Sequence, residues 1–250
     1  MPKATGGYIT YDGNYTVHTF TSSDNFIANE DIKNAEILIV AGGGGGGGAV
    51  NYNGGGGAGG LLEGFMDINV GEKSVVVGAG GLHYDNHTGY NGEDSTFNGA
   101  TAIGGGGGGG TIFTTPGANG GSGGGGSYNG AAGGSGIQGN SAGLLGYGNN
   151  GGTPQSGGVY GGGGGGAGGA APGGTNMAGG IGKSSSISGT EETYATGGRG
   201  NQLSPIAGIA NSGNGGDGKY AADPGADGGS GIVIIRYLTV DFLLTPIWFM

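Results

Sequence analysis

Ile37-Leu38-Ile39-Val40-Ala41 runs straight into seven consecutive glycines at 42–48. The same device recurs where Ala102-Ile103 enters the glycines of 104–110, and a third run covers 161–166. Glycine makes up 76 of the 250 residues against 7 prolines, and its clusters lack the strict third-residue period of collagen. Such blocks have two readings. One is a low-complexity linker. The other is an ordered array of extended, left-handed threefold threads, in which seven residues at about 3.1 Å each span about 20 Å. Threads of this kind have no internal hydrogen bonds, so each depends on its neighbours, and glycine lets backbones approach on all sides. Ordering a residue costs about 1–2 kcal/mol, with glycine at the high end, so the array requires nearly every backbone group to be paired. Strand-like segments frame the runs at both ends of the chain, and order is the reading adopted.

The sequence Tyr8-Ile9-Thr10-Tyr11, then Asp12-Gly13, then 15–20 predicts a hairpin, because Asp-Gly is a primed-turn signal. In its second strand Tyr15, Val17 and Thr19 share one face, and Thr16, His18 and Phe20 the other. Phe26-Ile27 begins a further strand. The apolar run 37–40 is continuous rather than alternating, which places it centrally and buried. Val70 and Val75-Val76-Val77 mark another strand. Residues 231–238 (GIVIIRYL) form the last, expected to return and pair with the N-terminal strands. Between 104 and 229 there is no strand or helical period. Polar insertions at 111–119, 137–147, 153–160, 183–194 and 201–214 read there as turns between threads.

The expected fold is all-β/irregular with essentially no α-helix. A small antiparallel β unit (1–40, 65–103 and 231–240) carries a bundle of polyglycine-II-type threads (42–60 and 104–230), all in one domain, 1–240. Hydrophobic residues are only 34% of the chain, many of them alanine, so backbone hydrogen bonding must supply most of the stability. Residues 241–250 (DFLLTPIWFM) hold the only tryptophan. This apolar tail either seals the chain's own core or docks on a partner, with Phe242, Leu243, Trp248 and Phe249 as candidate assembly contacts.

Composition excludes several classes. The net charge is −10 and the 7 Lys and Arg are scattered, which argues against nucleic acid. There is no cysteine for disulfides or thiolate metal sites. No stretch approaches the ~20 apolar residues of a membrane span, and the N-terminus lacks the apolar core of a signal peptide.

Catalytic motifs fail in turn. Gly182-Lys183-Ser184 has Met177 where a phosphate-binding loop needs glycine. The GxSxG match at 120–124 (Ser122) has no preceding apolar strand and no following helix pattern. His83, Asp85 and His87 could ligate a metal, but Gly81, Asn86 and Gly89 argue for a loop. Asp217, Asp223 and Asp227 sit among glycines as calcium candidates, yet Tyr220 breaks the calcium nonapeptide. No enzyme, cofactor or metal is expected.

Tyrosines, by contrast, gather in or beside the insertions: Tyr52, Tyr84, Tyr90, Tyr128, Tyr147, Tyr160, Tyr194 and Tyr220. They offer large amphipathic contact area at low entropic cost, or else they shield thread ends. Tyr128, Tyr147, Tyr160 and Tyr194 are the candidate receptor contacts.

Several segments in order carry a resemblance. They are His18-Thr-Phe-Thr-Ser-Ser, Ala35-Glu-Ile-Leu-Ile-Val-Ala-Gly-Gly-Gly, Gly55-Gly-Gly-Ala-Gly-Gly-Leu-Leu and Val76-Val-Gly-Ala-Gly-Gly, followed by Asn91-Gly-Glu-Asp-Ser-Thr-Phe, Ala100-Thr-Ala-Ile-Gly-Gly-Gly and the run 228–237. Together, over about residues 6–238, they resemble the glycine-rich domain of bacteriophage tail-fibre, adhesin and other virion proteins. The resemblance implies a non-enzymatic virion or extracellular module. Its expected partners are other virion proteins or further copies of itself, and a host-surface glycan or protein. The architectural alternative is a capsid or tail decoration, or a filament subunit. A third class is an ice- or polysaccharide-binding protein with a flat thread face.

Overall fold

The computed structural model describes residues 2–48, 52–84, 87–110, 114–220 and 224–240. Within them lie thirteen strands and no helix: β1 (Ala4–Thr5), β2 (Tyr8–Asp12), β3 (Tyr15–Phe20), β4 (Asp24–Ala28), β5 (Ile32–Val40), β6 (Leu61–Ile68) and β7 (Gly71–Val76), then β8 (Ser95–Phe97), β9 (Ala100–Ala102), β10 (Leu145–Tyr147), β11 (Lys183–Ser185), β12 (Glu192–Tyr194) and β13 (Ile232–Leu238). All strand pairings are antiparallel. One sheet has the order β10-β6-β5-β13-β3-β2, the second β1-β4-β7-β8-β9, and β11 pairs with β12 alone.

The hairpin β2–β3 closes with Asp12 opposite Tyr15, and Gly13 supplies the positive φ of 57°. β13 returns between β5 and β3, as the sequence predicts. β4, in contrast, leaves its sequence neighbours and joins the second sheet between β1 and β7. Alternation along β5 and β13 explains their continuous apolar runs, because both faces are covered. Ile37, Ile39, Val233 and Ile235 meet Phe20, Phe26 and Phe97 between the two sheets. Leu38, Val40, Ile232 and Ile234 pack on the outer face beneath Ile187 and Tyr194, beside the β11–β12 hairpin. Each such aliphatic side chain, fully buried, is worth about 1.5–3 kcal/mol.

Past Val40 the chain keeps going but loses its side chains. Gly42, Gly45 and Gly48 donate to the carbonyls of Glu93, Tyr90 and His87; Gly43 and Gly46 to Gly229 and Ala226; Gly44 and Gly47 to Gly57 and Gly54, at 2.8–3.3 Å. Successive N–H groups thus address three neighbours in rotation, and every third residue returns to the same one. Segment 53–60 repeats the pattern. Gly54, Gly57 and Gly60 donate to Gly109, Gly106 and Ile103, while Gly55 and Ala58 donate to Gly162 and Gly165. Asn53, Gly56 and Gly59 donate to Lys219, Gly216 and Gly213, so the whole set runs at 2.7–3.2 Å.

Close approach is what requires glycine. A Cβ at Gly107 would fall on the backbone carbonyl of Gly89, and one at Gly45 on that of Leu82, far inside van der Waals contact.

Within 79–93 the described residues also join the array, although the sequence reading assigns this segment to the β unit. The physical reason is its edge position, where glycine is needed only on the inward side. Gly92 backs onto the Gly42 carbonyl, whereas Ala79, Leu82, Tyr84 and Tyr90 face out. Other edges are closed by polar side chains three residues apart. Asn91 and Asp94 accept from Gly107 and Gly104, Asn150 and Thr153 from Gly136 and Gly133, and Asn214 and Asp217 from Thr196 and Arg199, all at 2.8–3.0 Å. The short strands β10, β11 and β12 also arise inside the region where the sequence shows no strand period.

Candidate functional site

Seven residues beyond the end of β5, the threads reach their far end. There Gly47 and Gly48 form bridges to Tyr84 and His87, Asn53 donates its N–H and Nδ2 to the Lys219 carbonyl, and Tyr128 N–H donates to the Tyr52 carbonyl at 3.0 Å. These backbone ties bring distant stretches of sequence onto one end face.

Two aromatic groups result. Tyr52 stacks on Tyr128 (centroids 5.6 Å, 21° between planes) and leans on Tyr220 (5.3 Å, 50°). In the other group, Tyr84 meets Tyr90 edge to face at 5.4 Å and His87 at 5.0 Å. Tyr84, His87, Thr88 and Tyr90 line an open hollow of about 350 Å³. Tyr84 and Tyr90 are 41% and 54% exposed. Partial burial, then the hydrogen bond to Tyr220, raises the pKa of the Tyr52 hydroxyl.

The four candidate receptor tyrosines are not brought together. Tyr128 lies on the end face. Tyr160, half-buried, precedes a glycine run whose first residue, Gly161, backs onto the Asn53 carbonyl. Tyr147 ends β10 at the sheet end, under the Lys183 ammonium, 4.3 Å from the ring centroid. Tyr194 requires a correction. At 6% exposure it is a core residue of the outer sheet face, because alternation in β12 turns it toward β5 and β13, and burial raises its pKa. Tyr52, Tyr84, Tyr90 and Tyr220 take the place of Tyr147 and Tyr194 at the end face. The candidate assembly contacts Phe242, Leu243, Trp248 and Phe249 lie outside the described residues.

The other chemical candidates have structural occupations. Ser122 is fully buried among threads, donating its N–H to Ala58 and accepting from Gly106. Lys183 pairs with Glu63 at 3.1 Å. Asp227 Oδ1 takes His83 Nδ1 at 2.6 Å and the His83 N–H at 2.7 Å. Asp217, 5% exposed, takes Arg199 Nη2 at 2.7 Å along with the N–H groups of Arg199 and Ile206. Among the described residues no three His, Asp or Glu converge as a metal site; Asp85 and Asp223 lie outside them. His18 is fully buried, with Nδ1 donating to the Gly6 carbonyl at 2.8 Å. Its Nε2 must then accept from the Tyr237 hydroxyl, also at 2.8 Å. Burial lowers the His18 pKa, against the opposing pull of that Gly6 bond, and pushes Tyr237 up to about 12.

The apolar entry strands, the glycine segments and the returning β13 match one family model, described as a glycine-rich domain, over residues 18–238. The chain belongs to the glycine-rich domain family. Among curated proteins there is no match. The matched span of this glycine-rich domain starts within β3 and runs to the last residue of β13, so it includes the threads and every later strand of the two sheets and leaves out β1 and β2.

Proposed function

We propose that this glycine-rich domain is a bacteriophage virion protein of the tail-fibre or adhesin type, working outside the cell and presenting its thread-end loops to a host surface. The threads are polyglycine-II-type helices, the conformation in which peptide groups turn by a third of a revolution per residue, and the period-three bonding supports this. The observation that carries the functional reading is the end face. Five of the chain's 12 tyrosines, drawn from positions between 52 and 220, meet there at the end of the array opposite the sheets. Dense backbone bonding holds them still, so contact with a surface costs little conformational entropy. The ordered segments that resemble virion domains support the setting.

The test is retention of fluorescently labelled protein on whole bacterial cells from a panel of strains. The expected result is retention on some strains and at least fivefold loss when 153–160 is replaced by a serine-glycine loop of equal length. Replacing 137–144, which leads into β10 at the edge of the six-stranded sheet, should leave retention intact. Retention on no strain, or indifference to the 153–160 exchange, contradicts the reading. One observation favours an architectural role in a capsid or tail instead. Tyr8 and Tyr11 stand exposed on β2, an edge strand at the opposite end, where a second copy or another virion protein could pair.

A further inference from the structure

We infer that a second copy of this chain docks on the long side of the thread array, laying its ridge of Leu203, Ile206 and Ile209 into the groove that borders the same ridge. The ridge follows from the threefold thread. Along 203–210 the residues at 205 and 208 are half-buried, while Leu203, Ile206 and Ile209 share one outward row and stand 62–74% exposed. An apolar edge of this kind marks an interaction surface. The groove beside it has the place of a thread. Thread 214–218 bonds to five described neighbours: Gly215, Gly216 and Asp217 donate to the carbonyls of Thr196, Gly44 and Ile206, and Gly56 and Ala226 donate to those of Gly216 and Asp217, at 2.8–3.1 Å. The five form an arc in which each bonds to the next, through Gly198 to Gly56, Gly44 to Gly57, Gly46 to Ala226 and Gly208 to Asp227. Equal rods pack six around one, and the sixth place, between 196–199 and 206–209, is an open groove of about 230 Å³. Thr196 and Arg199 form one wall and Ile206 and Ile209 the other, over a floor of glycine backbone. On that side thread 214–218 carries side chains: Asn214 and Asp217 accept from the N–H groups of Thr196 and Arg199 at 2.9 and 2.8 Å.

The surface is self-complementary, and this selects a copy as the occupant. Ridge and groove lie side by side and share one period, about 9.3 Å for each turn of the thread. A two-fold axis between them puts the ridge of each copy into the groove of the other, a closed contact. The same axis brings the outer borders together. Arg199 stands on the groove side and Asp227 beyond the ridge, at one level along the threads, since Asp217 bonds both Arg199 and Ala226. Their side chains are 46% and 42% exposed, and each is held in place within its own copy, Arg199 by Asp217 and Asp227 by His83. Arg199 of one copy therefore meets Asp227 of the second, opposite charges at both borders of the contact. The size is that of a weak dimer. Residues 203–210 make the ridge about 25 Å long. From 196–199 across to 224–229 is four thread widths, about 20 Å at roughly 5 Å each. That is on the order of 500 Å² per copy, near the ~1,000 Å² total of the smallest specific interfaces. The inference does not depend on the end face.

Sedimentation equilibrium of the full chain, from about 10 µM to about 1 mM, tests the contact over the range where so small an interface associates. The expected result is a monomer–dimer equilibrium. Amide shifts that change with concentration should map to 196–199, 203–210 and 214–217 and leave the edge strand β2 unmoved. Ile206→Ser combined with Ile209→Ser should weaken dimerisation at least tenfold. The melting temperature at low concentration should stay unchanged, because both side chains are already largely in water. Ala207→Arg, which puts a long charged side chain into the groove, should weaken it as much. Ile137→Ser, at an exposed aliphatic residue outside this surface, should change nothing. A monomer at about 1 mM, which would leave the ridge to some other partner, overturns the inference. So does a dimer that survives the double substitution, or one whose shifts centre on β2.

Discussion

The Gly42 N–H donates to the Glu93 carbonyl at 3.0 Å, and with that bond the two sheets cease to be separate layers. Two residue pairs earlier, Val40 and Ser95 still belong to opposing sheets, whose faces ordinarily stand about 10 Å apart with side chains between them. Beyond Ala41 the side chains stop, the layers close to hydrogen-bonding distance, and the sandwich becomes a lattice of threads. Glycines in the lattice should therefore be intolerant of the smallest side chain. Gly107→Ala is expected to cost about 3 kcal/mol, the upper range for overpacking, because the new methyl falls on backbone rather than on a movable side chain. Gly139→Ala, with nothing within 4 Å of the added Cβ, should change stability by less than about 0.5 kcal/mol. Chemical denaturation of the two variants checks the pair.

Ser95 marks the transition. Its buried hydroxyl donates to the Val40 carbonyl and accepts from the Gly78 N–H, both at 2.9 Å, and so ties three strands where the layers converge. Ser95→Ala leaves the buried Gly78 N–H without its partner and should cost about 1–3 kcal/mol, the range for one orphaned buried group. Ser95→Thr, which keeps the hydroxyl, should lose less. Equal melting temperatures for wild type and Ser95→Ala would contradict this.

The edge segment 205–210 hangs partly on Asp217, whose Oδ2 takes the Ile206 N–H at 3.1 Å while Arg199 holds the same carboxylate. Asp217→Ala should release that segment locally, with backbone exchange there at least tenfold faster and exchange within β5 unaltered. Uniform exchange across the chain would show the carboxylate to be dispensable.

His18 sets a pH dependence whose sign follows from its burial. In the folded state its pKa lies below the ordinary 6.5, because burial desolvates the ring, against the opposing pull of the Gly6 carbonyl. The unfolded chain therefore binds the proton more readily, and stability rises with pH. That contribution is complete above about pH 6.5 and falls away as the pH drops from there toward the folded-state value. The melting temperature should decline between pH 7.5 and 5, and His18→Gln should flatten that decline. An equally steep decline in the variant would assign it to other groups.

Much of the sandwich was legible because its signals are local. Asp12-Gly13 gave the hairpin, and the unbroken apolar runs of 37–40 and 232–235 marked strands covered on both faces. Membership of β4 in the second sheet was not legible, since a five-residue strand carries no mark of which edge it will pair with. The described residues of 79–93 hid for a different reason: an edge thread keeps glycine only on its inner side, so its composition looks ordinary. A usable signal was present in the polar pairs Asn91/Asp94, Asn150/Thr153 and Asn214/Asp217, whose spacing of three is the period of the threads. The end face was half legible. Tyrosines near insertions stood out, but each insertion could lie at either end of a thread, which is why Tyr147 and Tyr194 were grouped with Tyr128 and Tyr160. Only the course of the chain separates the two ends.

Backbone hydrogen exchange across residues 42–48, compared with 37–40 in the same molecule, tests the ordered lattice most directly. The expected result is protection of the Gly43 to Gly47 amides within about tenfold of that in β5, since each has a carbonyl partner at 2.8–2.9 Å. Exchange at the rate of an unstructured glycine chain, with β5 still protected, would contradict the thread array and with it the rigid display on which the end face depends.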